Sequence, residues 1–83
     1  MTHDLKTWPE FFIQIKKGQK RFELRKDDRN FSVGDWVYLR EFNPKTNNYT
    51  GEAIYVKITY ILRVAEYFGL KDGYCIFGFR KIT

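Results

Sequence analysis

A chain of 83 residues with 43% hydrophobic and 19% aromatic side chains has too much apolar material for disorder and no room for a second core, so residues 1–83 are expected to be one domain. Its net charge of +5 is uneven: residues 16–29 hold Lys16, Lys17, Lys20, Arg21, Arg25, Lys26 and Arg29 against Glu23, Asp27 and Asp28, which is +4 and leaves +1 for the rest. A single cysteine excludes an intrachain disulfide, one His and one Cys exclude a His/Cys zinc site, and no apolar run reaches the ~18 residues of a membrane span; no metal or cofactor is expected, and a reducing cytoplasm is the expected setting.

The opening "MTHDLKTW" lacks the apolar run of a signal peptide. Thr7 followed by Glu10 has the spacing of a capping box, and Pro9 suits a first helical turn. Trp8, Phe11, Phe12 and Ile15 then recur at three- and four-residue spacing, predicting a helix with one apolar stripe that Gly18 ends with a left-handed cap. After Gly18 the period becomes two. Phe22 and Leu24 alternate with Arg21, Glu23 and Arg25, predicting a half-buried strand with the two apolar residues on the core side.

"KDDRN" turns the chain, and residues 33–42 read as a second strand with Val37 and Leu39 on one face and Trp36, Tyr38, Arg40 and Phe42 on the other. Residues 43–51, rich in Asn, Pro and Gly, predict an exposed turn. Residues 52–63 predict a long strand in which Ile54, Val56, Ile58, Tyr60 and Leu62 share a face. A short connection holding Tyr67, Phe68, Gly69 and Gly73 leads to the last strand, "YCIFGFRKI", where Gly78 predicts a bulge. One early helix and four or five strands predict an α+β, mainly β fold: a small pseudo-barrel of about five strands with the helix packed at one end.

Gly18, Lys20, Glu23 and Arg25 stand in "GQKRFELR", which resembles the G-x-K-x-x-E-x-R signature of the activating-signal-cointegrator homology (ASCH) domain. The resemblance extends over nearly the whole chain, through the "LK" before the helix, the aromatic helix face and the "VGD" that opens the next strand. It implies a PUA-like pseudo-barrel whose signature residues project into a cleft beside the helix, and RNA as the ligand of that cleft. Some small bacterial members hydrolyse N4-acetylcytidine and some are ribonucleases. The hydrolases carry Thr where this chain has Glu23, and a longer insertion with a catalytic Glu where this chain has Glu66 in a short connection.

Two nucleic-acid surfaces follow as expectations. The first is the signature cleft: Glu23 orients Arg25, whose planar fork meets phosphate or a base edge, and Lys20 emerges at the rim with Lys17, Gly18, Arg21 and Arg29 around it. Removing Arg25 is therefore expected to weaken binding with little loss of stability. The second is a stacking surface of Trp36, Tyr38, Arg40, Tyr55 and Lys57, although core packing is the expected fate of such rings in a small barrel. In the alternative enzymatic reading, Lys20 and either Glu23 or Glu66 handle protons on an acylated nucleoside. In a third, the aromatic hairpin face docks a protein partner. His3 reads as a surface imidazole, Cys75 as a buried thiol, and Asp27 and Asp28 as turn residues.

Overall fold

The computed structural model describes residues 1–63 and 69–82. Tyr67 and Phe68 of the predicted connection, and the candidate catalytic Glu66, lie outside the described residues. In order come β1 (Thr2–Thr7), α1 (Pro9–Lys16), β2 (Phe22–Lys26), β3 (Trp36–Asn43), β4 (Asn48–Leu62) and β5 (Tyr74–Lys81). They form one sheet of order β1-β3-β4-β5-β2, with β1 parallel to β3 and the other neighbours antiparallel.

Alternation puts the core on one face of this sheet, as expected for a sheet solvated on its other side. Leu5, Val37, Leu39, Ile54, Val56, Ile58, Cys75, Phe77 and Phe79 meet Phe12 and Ile15 of α1 there, with Phe31 from the β2–β3 loop. The chain is thus a mainly β half-barrel with one short helix, as the sequence predicts. Its two edge strands, β1 and β2, approach each other, and arginines cross the seam. Arg25 Nη2 donates to the Lys6 carbonyl at 2.6 Å and Arg29 Nη1 to the Asp4 carbonyl at 3.2 Å. Alternate carbonyls of an edge strand, which would otherwise offer a pairing template, are occupied by guanidinium groups.

Strand β1 escapes the sequence reading, because only Leu5 among its inward residues His3, Leu5 and Thr7 is strongly apolar. The capping box does not form either. Trp8 is the N-cap and no side chain among the described residues caps the helix, since Thr7 is spent as the last residue of β1. Gly18 does end the helix at φ +78°, and the Gln19 and Gly18 amides donate to the Gln14 and Ile15 carbonyls, a complete Schellman motif.

Two irregularities re-aim residues that strict alternation misplaces. A register break between Arg40 and Phe42 turns Phe42 inward. A second, between Ile58 and Tyr60 in β4, leaves Tyr60 65% exposed and packs Ile61 against the core. The bulge that Gly78 predicts is therefore on the neighbouring strand: Gly78 pairs with Tyr60, and a Cβ at Gly78 would lie 3.5 Å from the extra residue's Thr59 Oγ1.

His3 is buried, not a surface imidazole: its Nε2 donates to Asp35 Oδ2 at 2.7 Å and its ring packs edgewise on Phe31. Asp35 also accepts the Ser32 amide at 3.1 Å and the Met1 amino group at 3.4 Å. Burial alone raises the Asp35 carboxyl; these partners outweigh it and hold the group below its ordinary value. A carboxylate depressed in the fold stabilises it above the unfolded-state value, and that contribution disappears as the pH falls through the folded one. Asp35→Asn is therefore expected to cost about 2 kcal/mol at pH 7 in urea unfolding, with the gap from the parent narrowing in the acid range. An equal gap at pH 7 and pH 3 would contradict this assignment.

Candidate functional site

The Schellman turn at Gly18 directs Gln19, Lys20 and Arg21 from the helix end to the start of β2, with the Lys20 amide on the Gln14 carbonyl. The Lys20 ammonium then lies against the next strand, donating to Glu23 Oε1 at 2.5 Å and to the Phe22 carbonyl at 2.7 Å. On the other oxygen, Glu23 Oε2 accepts Arg25 Nε at 2.8 Å. The sequence predicts Glu23 outward and Phe22 and Leu24 inward; the structure reverses the strand. Glu23 is 4% exposed, while Phe22 and Leu24 are 50% and 57% exposed. A carboxylate with a cation on each oxygen tolerates burial, and at this edge two cations are within reach of it.

Reversal of β2 builds a cleft. Lys6, Thr7 and Trp8 at the β1–α1 corner, Phe11 of α1, Lys20, and residues 22–25 of β2 enclose about 500 Å³, a volume usual for small-ligand sites. Trp8 and Phe11, half of the predicted buried stripe, are about half exposed as its walls. Lys20 Nζ lies 5.0 Å from the Phe22 ring centre and 5.8 Å from that of Phe11. Four large apolar side chains thus surround Lys20, Glu23 and Arg25, whose charges sum to +1. Thr7 adds one more feature: the residue is 3% exposed, and its Oγ1 is buried without a hydrogen-bond partner among the described residues. Such an orphan costs about 1–3 kcal/mol, which a ligand's polar edge can recover.

Behind Lys20 lies a second, basic groove. Lys17, Gly18, Gln19, Lys20 and Arg21 face Ile15, Phe79, Arg80 and Lys81 around about 560 Å³, with five cations and no acid among the lining residues. Arg21 Nε is braced on the Gly18 carbonyl at 3.0 Å, and Lys81 Nζ on the Lys16 carbonyl at 2.9 Å, where the helix dipole favours a cation. Lys20 belongs to both concavities.

The predicted set thus divides. Lys20, Glu23 and Arg25 come together in the cleft, and Lys17, Gly18, Arg21 and again Lys20 in the groove, whereas Arg29 is apart, on the β1 edge and 3.9 Å from Asp28. Sequence reasoning missed Thr7, Trp8, Phe11, Phe22 and Leu24 as cleft walls, and Arg80 and Lys81 as groove cations. Only the "RK" pair in the last strand left a signal.

The hairpin aromatics are not core, contrary to the expectation for a small barrel. Trp36 and Tyr55 are 39% and 41% exposed on the outer face of β3 and β4. Tyr55 stacks on Tyr38 at 4.5 Å and 26° and meets Trp36 edgewise at 6.4 Å; Lys57 Nζ lies 6.0 Å from the Trp36 ring. Arg40 lies 3.7 Å over Tyr49.

Elsewhere, Asp27 is a turn residue that braces the loop: it accepts Arg63 Nε at 2.6 Å, and Arg63 Nη2 donates onward to the Phe31 carbonyl at 2.7 Å. Burial pushes the Cys75 thiol up, so it stays protonated in the core. No group of three or more His, Cys, Asp or Glu side chains among the described residues is placed to hold a metal ion.

Comparison with known proteins relates the chain to a family and to a phage protein. A family model described as a domain of unknown function, DUF3850, matches residues 2–79. A protein of Escherichia phage P2, described as an uncharacterized 12.9 kDa protein in the GpA 3' region, is 31% identical over 65 residues, covering 78% of this chain and 58% of its own length.

Proposed function

The chain belongs to the DUF3850 family, and we propose that it binds RNA, taking one unpaired base in the cleft and the flanking phosphates in the basic groove. The observation that carries this reading is the junction at Lys20. An aromatic-walled cleft with an orphaned hydroxyl meets a groove of five cations there. Trp8, Phe11 and Phe22 offer stacking surface to a planar ring, and Thr7 Oγ1 a hydrogen bond to its edge. Lys17, Arg21, Arg80 and Lys81 offer charge to phosphates. Lys20, Glu23 and Arg25 hold one another in place, so they shape the cleft and contribute less free charge than the sequence implies. The choice of RNA over DNA, and of an ASCH-type PUA-like module, rests on the G-x-K-x-x-E-x-R resemblance.

The test is Thr7→Val, which keeps shape and removes the hydroxyl. Stability is expected to stay level or rise by up to about 1 kcal/mol, because an unpaired buried group disappears. Affinity for a short unpaired RNA, read by fluorescence anisotropy, is expected to fall about fivefold to tenfold. Unchanged affinity would show that the hydroxyl does not meet the ligand.

One observation favours a second reading. The Lys20 ammonium and the Glu23 carboxylate meet in the cleft that Thr7 also lines, which brings together two of the groups a hydrolase of an acylated nucleoside would use. Turnover of N4-acetylcytidine that vanishes in Lys20→Ala would establish it, and inactivity across acylated nucleosides would remove it.

A further inference from the structure

We infer that the RNA path does not stop at the cleft but continues over Lys6 onto the outer face of β3 and β4, so that the complete site takes a single strand of several nucleotides. This rests on the RNA-binding reading and extends it to a second surface. Lys6 is the link. It lines the cleft and its carbonyl holds Arg25, yet its side chain alternates with the inward Leu5 and Thr7 and so belongs to the outer side, with Nζ 5.9 Å from the ring centre of the exposed Tyr49.

From Lys6 the sheet register sets out rows in which cations flank rings. Lys6 pairs with Arg40, which covers Tyr49 at 3.7 Å; Tyr38 pairs with Tyr55, and Trp36 with Lys57. Asp4 on the same face is held by Arg40 at 3.5 Å, which leaves Lys6 and Lys57 as positive charge beside the rings. Charge complementarity thus points to a polyanion, and rings flanked by cations match bases flanked by phosphates. Only unpaired bases expose faces to such rings, so the occupant is single-stranded.

Anisotropy with labelled oligouridines of three and ten nucleotides, and a ten-base-pair RNA duplex, tests this. The ten-mer is expected to bind at least tenfold more tightly than the trinucleotide and the duplex. Tyr38→Ser/Tyr55→Ser is expected to abolish that length gain while leaving trinucleotide affinity unchanged; Lys57→Glu, a surface change that spares the stacked pair, is expected to reduce it in the same selective way. Trinucleotide binding without any length gain, or a gain that survives both variants, would overturn the extended path and leave the cleft reading intact. Absence of binding by either oligonucleotide would overturn both. Self-association in sedimentation that Tyr38→Ser/Tyr55→Ser removes, with no length gain in the parent, would mark this face as a protein surface and overturn the proposal.

Discussion

Glu23→Ala is expected to destabilise the domain by about 3 kcal/mol and to lower its Tm by roughly 12–24 °C. The carboxylate is 4% exposed and is the shared acceptor of Lys20 and Arg25, whose side chains are only 16% and 26% exposed. Without it two cations face each other across the cleft with no counter-charge. Their partial access to water keeps the cost near the lower end of that for an orphaned buried ion. For a domain of this size, whose whole stability is of order 4–12 kcal/mol, the loss is a large fraction. A control separates charge from shape: Lys20→Met/Glu23→Leu/Arg25→Met replaces the cluster with apolar groups and is expected to recover part of the stability, short of the share carried by the Arg25 bond to the Lys6 carbonyl, while leaving RNA affinity weak. A loss below about 1 kcal/mol for Glu23→Ala would mean that the cluster behaves as an exposed ion pair.

Arg25→Ala is expected to cost about 2 kcal/mol, and to do so locally. Its guanidinium spans two acceptors, Glu23 Oε2 at 2.8 Å and the Lys6 carbonyl at 2.6 Å, and so ties β2 to the free edge of β1. With that bond gone, β3 is, among the described residues, the one strand paired with β1, and Arg29 on the Asp4 carbonyl is what remains across the seam. Hydrogen exchange should therefore speed up first at the β1 amides, with β4 and β5 retaining the protection of the global fold. Arg25→Lys is not expected to rescue the seam, since a single ammonium does not reproduce the planar fork. Uniform loss of protection across all five strands would contradict a latch at this seam. The sequence expectation that Arg25 can be removed at little cost to stability does not allow for this second bond, which joins residues 19 apart in the chain.

Periodicity makes α1 and strands β3 to β5 legible up to their register breaks, because each has apolar residues at one spacing there, as in Val37 and Leu39 or Cys75, Phe77 and Phe79. What periodicity leaves undetermined is which face meets the core. In "FELRK" the apolar pair Phe22 and Leu24 suggests one answer, and the partnered Glu23 takes the other. The same ambiguity hides the cleft: Trp8 and Phe11 fit a core stripe as well as a ligand wall, and only the reversed β2 opposite them decides. The signature residues are legible as a group, since Lys20, Glu23 and Arg25 do converge, but their mutual neutralisation is not. Thr7 carried no functional signal in the sequence. Its spacing to Glu10 reads as a cap, and only the presence of β1 takes it out of that role and leaves its hydroxyl buried, beside the cleft, without a partner among the described residues.

An amide NMR titration with a short unpaired RNA at about 150 mM salt, where long-range attraction is screened to about 8 Å, tests RNA binding through the cleft most directly. Binding there predicts shifts centred on Thr7, Trp8, Phe11, Lys20 and residues 22–25, joined by Arg80 and Lys81 of the groove. A spectrum unmoved by RNA, or shifts confined to the Asp27–Arg63 side of the molecule, would contradict it.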